Sequence, residues 1–234
     1  MRKTCIFAAL LALMAAFSCN REQHPDEGKP VDVTVSITGT GTRVTEAQYA
    51  DESKVTSLQV FVFNNGKLED YQDAGEALTT QVAATSGERT VWALVNAPSL
   101  TDITTENGLK AGISRLSENG KAAFVMCGST TQTLTDGGSV SVVVKRIVAR
   151  VSVEKITTDY RYSLADEDLT VQGIYLINVA GDNTYEANAT PTSWINQLGH
   201  KDATYDALLY DAVTATVNNK TPYTTEHVFY PYPN

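Results

Sequence analysis

A strand written in alternating valines is the feature that most constrains this chain. In "PVDVTVSIT", Pro30 to Thr38, the residues Val31, Val33, Val35 and Ile37 alternate with Asp32, Thr34 and Ser36. Successive side chains on a strand point to opposite faces, so this period of two gathers four β-branched apolar groups on one face and polar groups on the other. Such a strand needs a core on one side only. It runs out in "GTGTR", a short loop with a lone cation, Arg43, before the next patterned segment.

Beyond Arg43, β-branched residues, Thr and Tyr recur in short runs separated by Gly, Asn and Asp, the composition of antiparallel β-sandwiches. "VTSLQVFVF", Val55 to Phe63, is apolar on both faces toward its end and reads as an interior strand. "NNGK" follows, and Asn65-Gly66 suits the positive φ angles of a tight hairpin. Further strands are expected at "TTQVAAT", "ERTVWALVN", "KAAFVMCG" and "GSVSVVVKR". The segment "SLTDITTENGLKAGISRL" is the helix-like exception, expected over Thr101 to Leu116 with an N-cap at Thr101 or Asp102. Val60, Val62, Trp92, Leu94, Val125 and Val143 are the expected core of this half.

A second group of strands begins with "IVARVSVEKITT", Ile147 to Thr158, and continues with "LTVQGIYLINVAG", Leu169 to Gly181. "ATYDALLYDAVTATV" has the spacing of a short helix in Tyr205, Leu208, Leu209 and Ala212, although its tail is β-branched. A last strand, "EHVFYPYPN", ends in alternating Tyr and Pro that read as the approach to another turn. "KRIVAR", Lys145 to Arg150, concentrates three cations in an acidic chain. It is either a solvated strand edge protected by charge or a domain junction paired with acidic groups.

The start of the chain carries an export signal. Arg2 and Lys3 precede an apolar run, Ile6 to Ala16, too short to span a bilayer, and "AAFSC" places small residues before Cys19 as a bacterial lipoprotein signal does. Phe17 is an unusual occupant there, and ordinary signal cleavage is the alternative. Of the three cysteines, Cys5 leaves with the signal and Cys19 takes the lipid, so Cys127 has no partner for an internal disulfide. In "KAAFVMCG" it reads as a small buried hydrophobe. Without Arg2 and Lys3 the chain has sixteen basic against twenty-seven acidic residues, a formal charge of −11, which argues against nucleic acid as a partner. Membrane contact falls to the lipid, with "NREQHPDEGKP", Asn20 to Pro30, as a polar tether.

No catalytic constellation stands out. His24, His200 and His227 have no Cys or carboxylate at metal-ligand spacing, and no G-x-S-x-G, P-loop or dinucleotide fingerprint is present. "ADEDL" and "GDNTYE" offer oxygens to calcium but depart from the EF-hand pattern. No cofactor or metal is expected. Trp92, inside "RTVWALV", reads as core; Trp194, in "TPTSWINQ" with Tyr185 nearby in sequence, is the better candidate for a ligand contact.

Taken together, several segments resemble the Bacteroidales fimbrillins, the family of the major fimbrial subunit of Porphyromonas-type (type V) pili. "DESKVTSLQVFVFN" resembles the family's first strand after its processing site, and "GERTVWALVN" a strand that follows a similar Gly-x-Arg-Thr. "KRIVARVSVEKI" is similar to the segment entering the second domain, with "IYLINV" and "FYPYPN" where later strands would be. The resemblance implies an all-β protein with two transthyretin-like antiparallel β-sandwich domains, the second incomplete. Its implied organisation is a signal peptide (1–18), a tether (19–30), a removable first strand (31–43), an N-terminal sandwich (44–146) and a C-terminal sandwich (147–234). Acidic residues soon after Cys19 resemble those of lipoproteins displayed outside the outer membrane.

The resemblance further implies a non-enzymatic subunit of surface fimbriae serving adhesion to an unspecified receptor. A trypsin-like, arginine-specific protease would cut after Arg43, release the strand of Val31, Val33, Val35 and Ile37, and leave the subunit to join others by strand exchange. Because the family's stalk subunits continue past the position of Asn234, this chain is expected to accept a strand without giving one, as a tip-like or truncated subunit. The competing expectation is a surface glycan-binding lipoprotein of an uptake system, which would keep both its first strand and its lipid. For the anchor, Cys19→Ala should take up no labelled fatty acid during export, and equal labelling of wild type and variant overturns the lipid assignment.

Overall fold

The computed structural model of the chain describes residues 28–39, 51–164, 167–187, 190–202 and 205–233. Nine strands form its first part: β1 (Pro30–Thr38), β2 (Leu58–Asn64), β3 (Lys67–Gly75), β4 (Thr79–Thr85), β5 (Gly87–Val95), β6 (Ile113–Arg115), β7 (Met126–Leu134), β8 (Ser139–Val143) and β9 (Lys145–Arg146). A one-turn helix, α1 (Glu106–Lys110), lies between β5 and β6. The protein is all-β in character, its sheets mostly antiparallel.

β2 is buried from Leu58 to Phe63, as an interior strand must be. Its alternation feeds two cores: Val60 and Val62 face one side of the sheet, Phe61 and Phe63 the other. β5 repeats the division, with Val91, Ala93 and Val95 on the first side and Trp92 and Leu94 on the second. Asn65 and Gly66, at φ 48° and 77°, close the tight hairpin from β2 into β3. The resulting sheet has the order β3-β2-β5-β7-β9. A three-stranded sheet, β4-β1-β8, packs over its valine face and completes a sandwich.

Three expectations for this half need correction. Val143 is 55% exposed, because the run "VVV" conceals the phase and it is Val140, Val142 and Val144 that point inward. "KAAFV" is not strand: its first three residues lie in a turn closed by the Gly120–Ala123 bridge, Asn119 Oδ1 accepts from Val125 N at 2.9 Å, and the adjacent Phe124 and Val125 are both buried. The helix is five residues long and starts from Thr105, whose hydroxyl accepts from Gly108 N at 3.1 Å. Nothing upstream can join it, because Leu68 N donates to Thr104 O and Glu106 N to Gly66 O, committing that backbone to the β2–β3 hairpin.

The second half adds β10 (Val151–Val153), β11 (Leu169–Tyr175), β12 (Val179–Ala180), β13 (Asp182–Thr184), β14 (Trp194–Ile195), a short helix α2 (Asp206–Leu209), β15 (Tyr210–Val217) and β16 (His227–Phe229). They pair antiparallel as β10-β16, β11-β15 and β12-β14, while β13 pairs with β6 of the first half. The β-branched tail after Leu209 is strand, in line with its propensity. Val179, Tyr185, Ile195, Leu209, Tyr230 and Tyr232 cover the aromatic face of the five-stranded sheet. This second core draws on both sides of residue 146.

The terminal tyrosines belong to this second core. Tyr230 and Tyr232 are 3% and 2% exposed, and the Tyr232 hydroxyl lies 3.0 Å from Ser114 Oγ and accepts from Asn119 Nδ2 at 3.1 Å. Tyr230 reaches Glu52, a carboxylate only 5% exposed. Arg146 Nη1 also donates to Glu52, and Arg150 Nη1 stands 3.8 Å away. Of the two readings of "KRIVAR", pairing with an acidic group is the one seen for both arginines, while Lys145 is exposed. Truncating one partner of a buried ion pair leaves the other charge uncompensated. Glu52→Ala should therefore cost about 3–5 kcal/mol of unfolding free energy in urea, whereas at the exposed Glu76, alanine should change it by no more than about 0.5 kcal/mol.

Candidate functional site

The strand that opened the sequence occupies the middle of the three-stranded sheet. β1 runs antiparallel to β4, with Val33 opposite Val82, and parallel to β8, with Val35 opposite Val140. Main-chain bonds hold it on both sides: Ile37 N donates to Leu78 O at 3.0 Å, Thr34 N to Gly138 O at 3.0 Å and Val144 N to Thr38 O at 2.9 Å. Neither neighbour is joined to it by a hairpin. β1 enters from the N-terminal segment and continues through residues 39–57 to β2 in the other sheet. A cut within that connection would separate β1 from the rest of the chain without opening any hairpin.

Val31, Val33, Val35 and Ile37 are all buried, at 6%, 1%, 0% and 7% exposure, against Leu58, Val60, Val91, Val95, Met126 and Val142. The outward side chains contribute little. Thr34 Oγ1 accepts from Gln81 Nε2 at 3.3 Å, the Thr38 and Ser141 hydroxyls are 3.3 Å apart, and Ser36 Oγ donates to Val140 O at 3.4 Å. β1 is thus held by its backbone and by four apolar groups spaced two residues apart. Any strand with that pattern meets the same requirement.

The two ends of the slot are more particular. At the start of β1, a Cβ on Gly28 would stand 1.9 Å from Ser86 O, so only glycine permits that approach. At the far end Gly39 turns away at φ +78°, where a Cβ would meet the Val143 side chain at 2.9 Å. Ser86 N donates to Lys29 O at 2.8 Å, and the turn carrying Ser86 is braced by a buried ion pair, Arg89 Nε to Glu69 Oε2 at 2.7 Å. Sequence reading missed this brace, although an arginine inside the otherwise apolar "RTVWALV" was its signal.

Cys19, Arg43 and His24 lie outside the described residues. Cys127 is half-buried, its Sγ donates to Tyr185 O at 2.6 Å, and burial pushes its thiol up to about 11, so it stays an unreactive thiol at neutral pH. Trp92 is core, with Nε1 donating to Glu106 Oε1 at 3.2 Å. Trp194 is 42% exposed, but Tyr185 is buried at 1%, so the two form no surface platform. His227 does have a carboxylate: Asp211, sixteen residues earlier, places Oδ2 3.0 Å from Nδ1, and the Tyr223 hydroxyl lies 2.8 Å from Nε2. In "GDNTYE", Asp182 is spent on Thr192 and Ser193; burial pushes its carboxyl up, but the hydrogen bonds from both outweigh that and hold it below the usual carboxylate range.

A family model described as "Major fimbrial subunit protein (FimA)" matches residues 31–164. Among curated proteins, the "Major fimbrium subunit FimA type-2" of Porphyromonas gingivalis is 26% identical over 133 residues, which is 50% of this chain and 35% of that relative's length. The chain thus spans about a third of the curated relative it matches. A putative cell adhesion protein from Bacteroides eggerthii superposes with a TM-score of 0.67 at 18% identity, covering 89% of this chain and 71% of that one. A fimbrilin (FimA) from Porphyromonas gingivalis gives 0.60 at 15% identity, with 80% and 65% coverage. Both share the fold.

The alternation of β1 should appear directly in stability. Val35→Ala deletes buried methyl groups and should cost about 2 kcal/mol, while Ser36→Ala on the outer face stays within about 0.5 kcal/mol; urea midpoints of the two variants check this.

Proposed function

Because the chain belongs to the family of the major fimbrial subunit protein FimA, we propose that it is a structural subunit of cell-surface fimbriae, made as a lipoprotein precursor and assembled by replacement of β1. Cys19 carries the lipid that holds the precursor on the outer membrane. An arginine-specific, trypsin-like protease cuts after Arg43, and β1 becomes a dissociable element. A strand from another fimbrial subunit then enters between β4 and β8, and the fimbrium so built serves adhesion.

The observation that carries this reading is the placement of β1. It is central in its sheet, hairpin-linked to neither neighbour, and held by backbone bonds and four alternating apolar side chains. Removal exposes two strand edges and an apolar trough, the arrangement that accepts an added strand. Burial of those four groups is worth roughly 6–12 kcal/mol as an upper bound. Cutting the connection alone therefore does not expel β1, and an incoming strand has to displace it.

The test is Arg43→Ala. The variant should be exported and lipidated as wild type yet absent from sheared fimbriae, and surface protein that has been processed should begin at Val44. Entry of the variant into fimbriae at the wild-type level, or mature protein that still begins at Cys19, overturns the proposal. The second of those outcomes is the one a glycan-binding lipoprotein predicts.

A further inference from the structure

A sheet that accepts a strand in its middle has two outer edges as well, and both are unsafe if left open. In the β4-β1-β8 sheet the outer edges are β4 and β8. The bond from Ile37 N to Leu78 O fixes the parity of β4: its even-numbered amides face β1, and the odd-numbered ones, those of Ala83 and Thr85 among them, face outward. Among the described residues no strand pairs there, yet the amides of Ala83 and Thr85 are satisfied. Ala83 N donates to Asp70 Oδ2 at 2.9 Å, and Thr85 N to Glu69 Oε1 at 3.0 Å.

Two neighbouring carboxylates can do this because β3 bulges at that point. Val62 pairs with Asp70 and Phe63 with Leu68, so Glu69 is the extra residue. A bulge breaks the strict alternation of side chains and turns consecutive groups toward one side. Each carboxylate is then held in place, Asp70 by Gln72 Nε2 at 3.1 and 3.2 Å and Glu69 by Arg89 Nε at 2.7 Å. At the opposite edge, β8 turns the Ser139 carbonyl outward, and Gln132 Nε2 on β7 donates to it at 3.0 Å. There Gly128 brings β7 so close that a Cβ would stand 2.1 Å from Val143 O.

We propose that Asp70 and Glu69 on β3, with Gln132 on β7, act as substitutes for neighbouring strands, closing the outer edges of this sheet so that another copy of the chain can add a strand only in the slot of β1. The partner excluded is a second copy pairing edge to edge through β4, whose outward face at Ala83 is exposed. The inference rests on the strand-replacement reading for its purpose. Its geometry and its test do not, since neither requires cleavage at Arg43.

The test uses the full chain with β1 in place. Asp70→Ala removes the acceptor of the Ala83 amide, whereas Asp70→Asn keeps a carbonyl oxygen there. In Asp70→Ala the Ala83 amide should exchange with deuterium about tenfold faster or more, while that of Val82, which faces β1, keeps its wild-type rate. In sedimentation, Asp70→Ala should form dimers and larger species at concentrations where wild type and Asp70→Asn remain monomeric. Unchanged exchange at Ala83, or the same association in all three proteins, overturns the proposal. Accelerated exchange at both Ala83 and Val82 also overturns it, because the side chain then supports the fold generally and not the edge.

Discussion

The five-stranded sheet is apolar on both faces, and the rest of the molecule follows from that. A sheet with one wet face needs a single covering layer; this one needs two. β4, β1 and β8 supply the first, and the segments after residue 146, from Ile147 to Tyr232, supply much of the second. The sheet is thereby the common wall of two cores, and neither half of the chain is covered without it.

The two cores differ in what they ask of their covers. The face toward β1 is made largely of Val60, Val62, Val91, Ala93 and Val95, small or β-branched groups, with Leu58 and Met126 beside them. Its lid needs little beyond apolar groups at alternate positions. The other face presents Phe61, Phe63, Trp92 and Leu94, and its lid is fixed by shape and by individual hydrogen bonds. Gln59, 2% exposed on that face, donates to the carbonyls of Ala97 and Pro98 and accepts from Tyr71 and from Leu100 N. A core of matched valines tolerates exchange of one side, whereas satisfied polar groups and packed rings specify a single partner.

Much of this was legible in the chain where a short-range period expresses it. The alternation in β1, the double-sided β2 and the Asn65-Gly66 turn are local patterns, and they fold as read. What escaped depends on distant residues. Val143 was misplaced because three successive valines carry no phase, and the pairing of β8 with β1 decides it. The helix shrank to Glu106–Lys110 because the backbone before it bonds to the β2–β3 hairpin. Glu52, Tyr230, and the Asp211–His227 contact join residues far apart in sequence, and a single sequence carries no period for such pairs. Arg89 could have been noticed, since a cation in an apolar strand demands a partner, but only the fold shows that the partner is Glu69.

Glu52 stands on the route from β1 to β2, nine positions after Arg43, and the ion pair fixes the chain there to residues outside β1 and its sheet partners. Arg146 belongs to β9, Arg150 to the segment beyond it, and Tyr230 to the stretch after β16. On the other side of the slot, Arg89 and Glu69 hold the turn that receives Lys29. Removal of β1 would therefore empty a trough whose walls are anchored independently of it. The Glu52 ion pair keeps its burial through contacts in the second core, and the turn at Ser86 keeps its brace through β3 and β5. The charges that flank β1, at Glu52 and at Glu69, are thus paired with residues outside it, and the second core does not draw on β1.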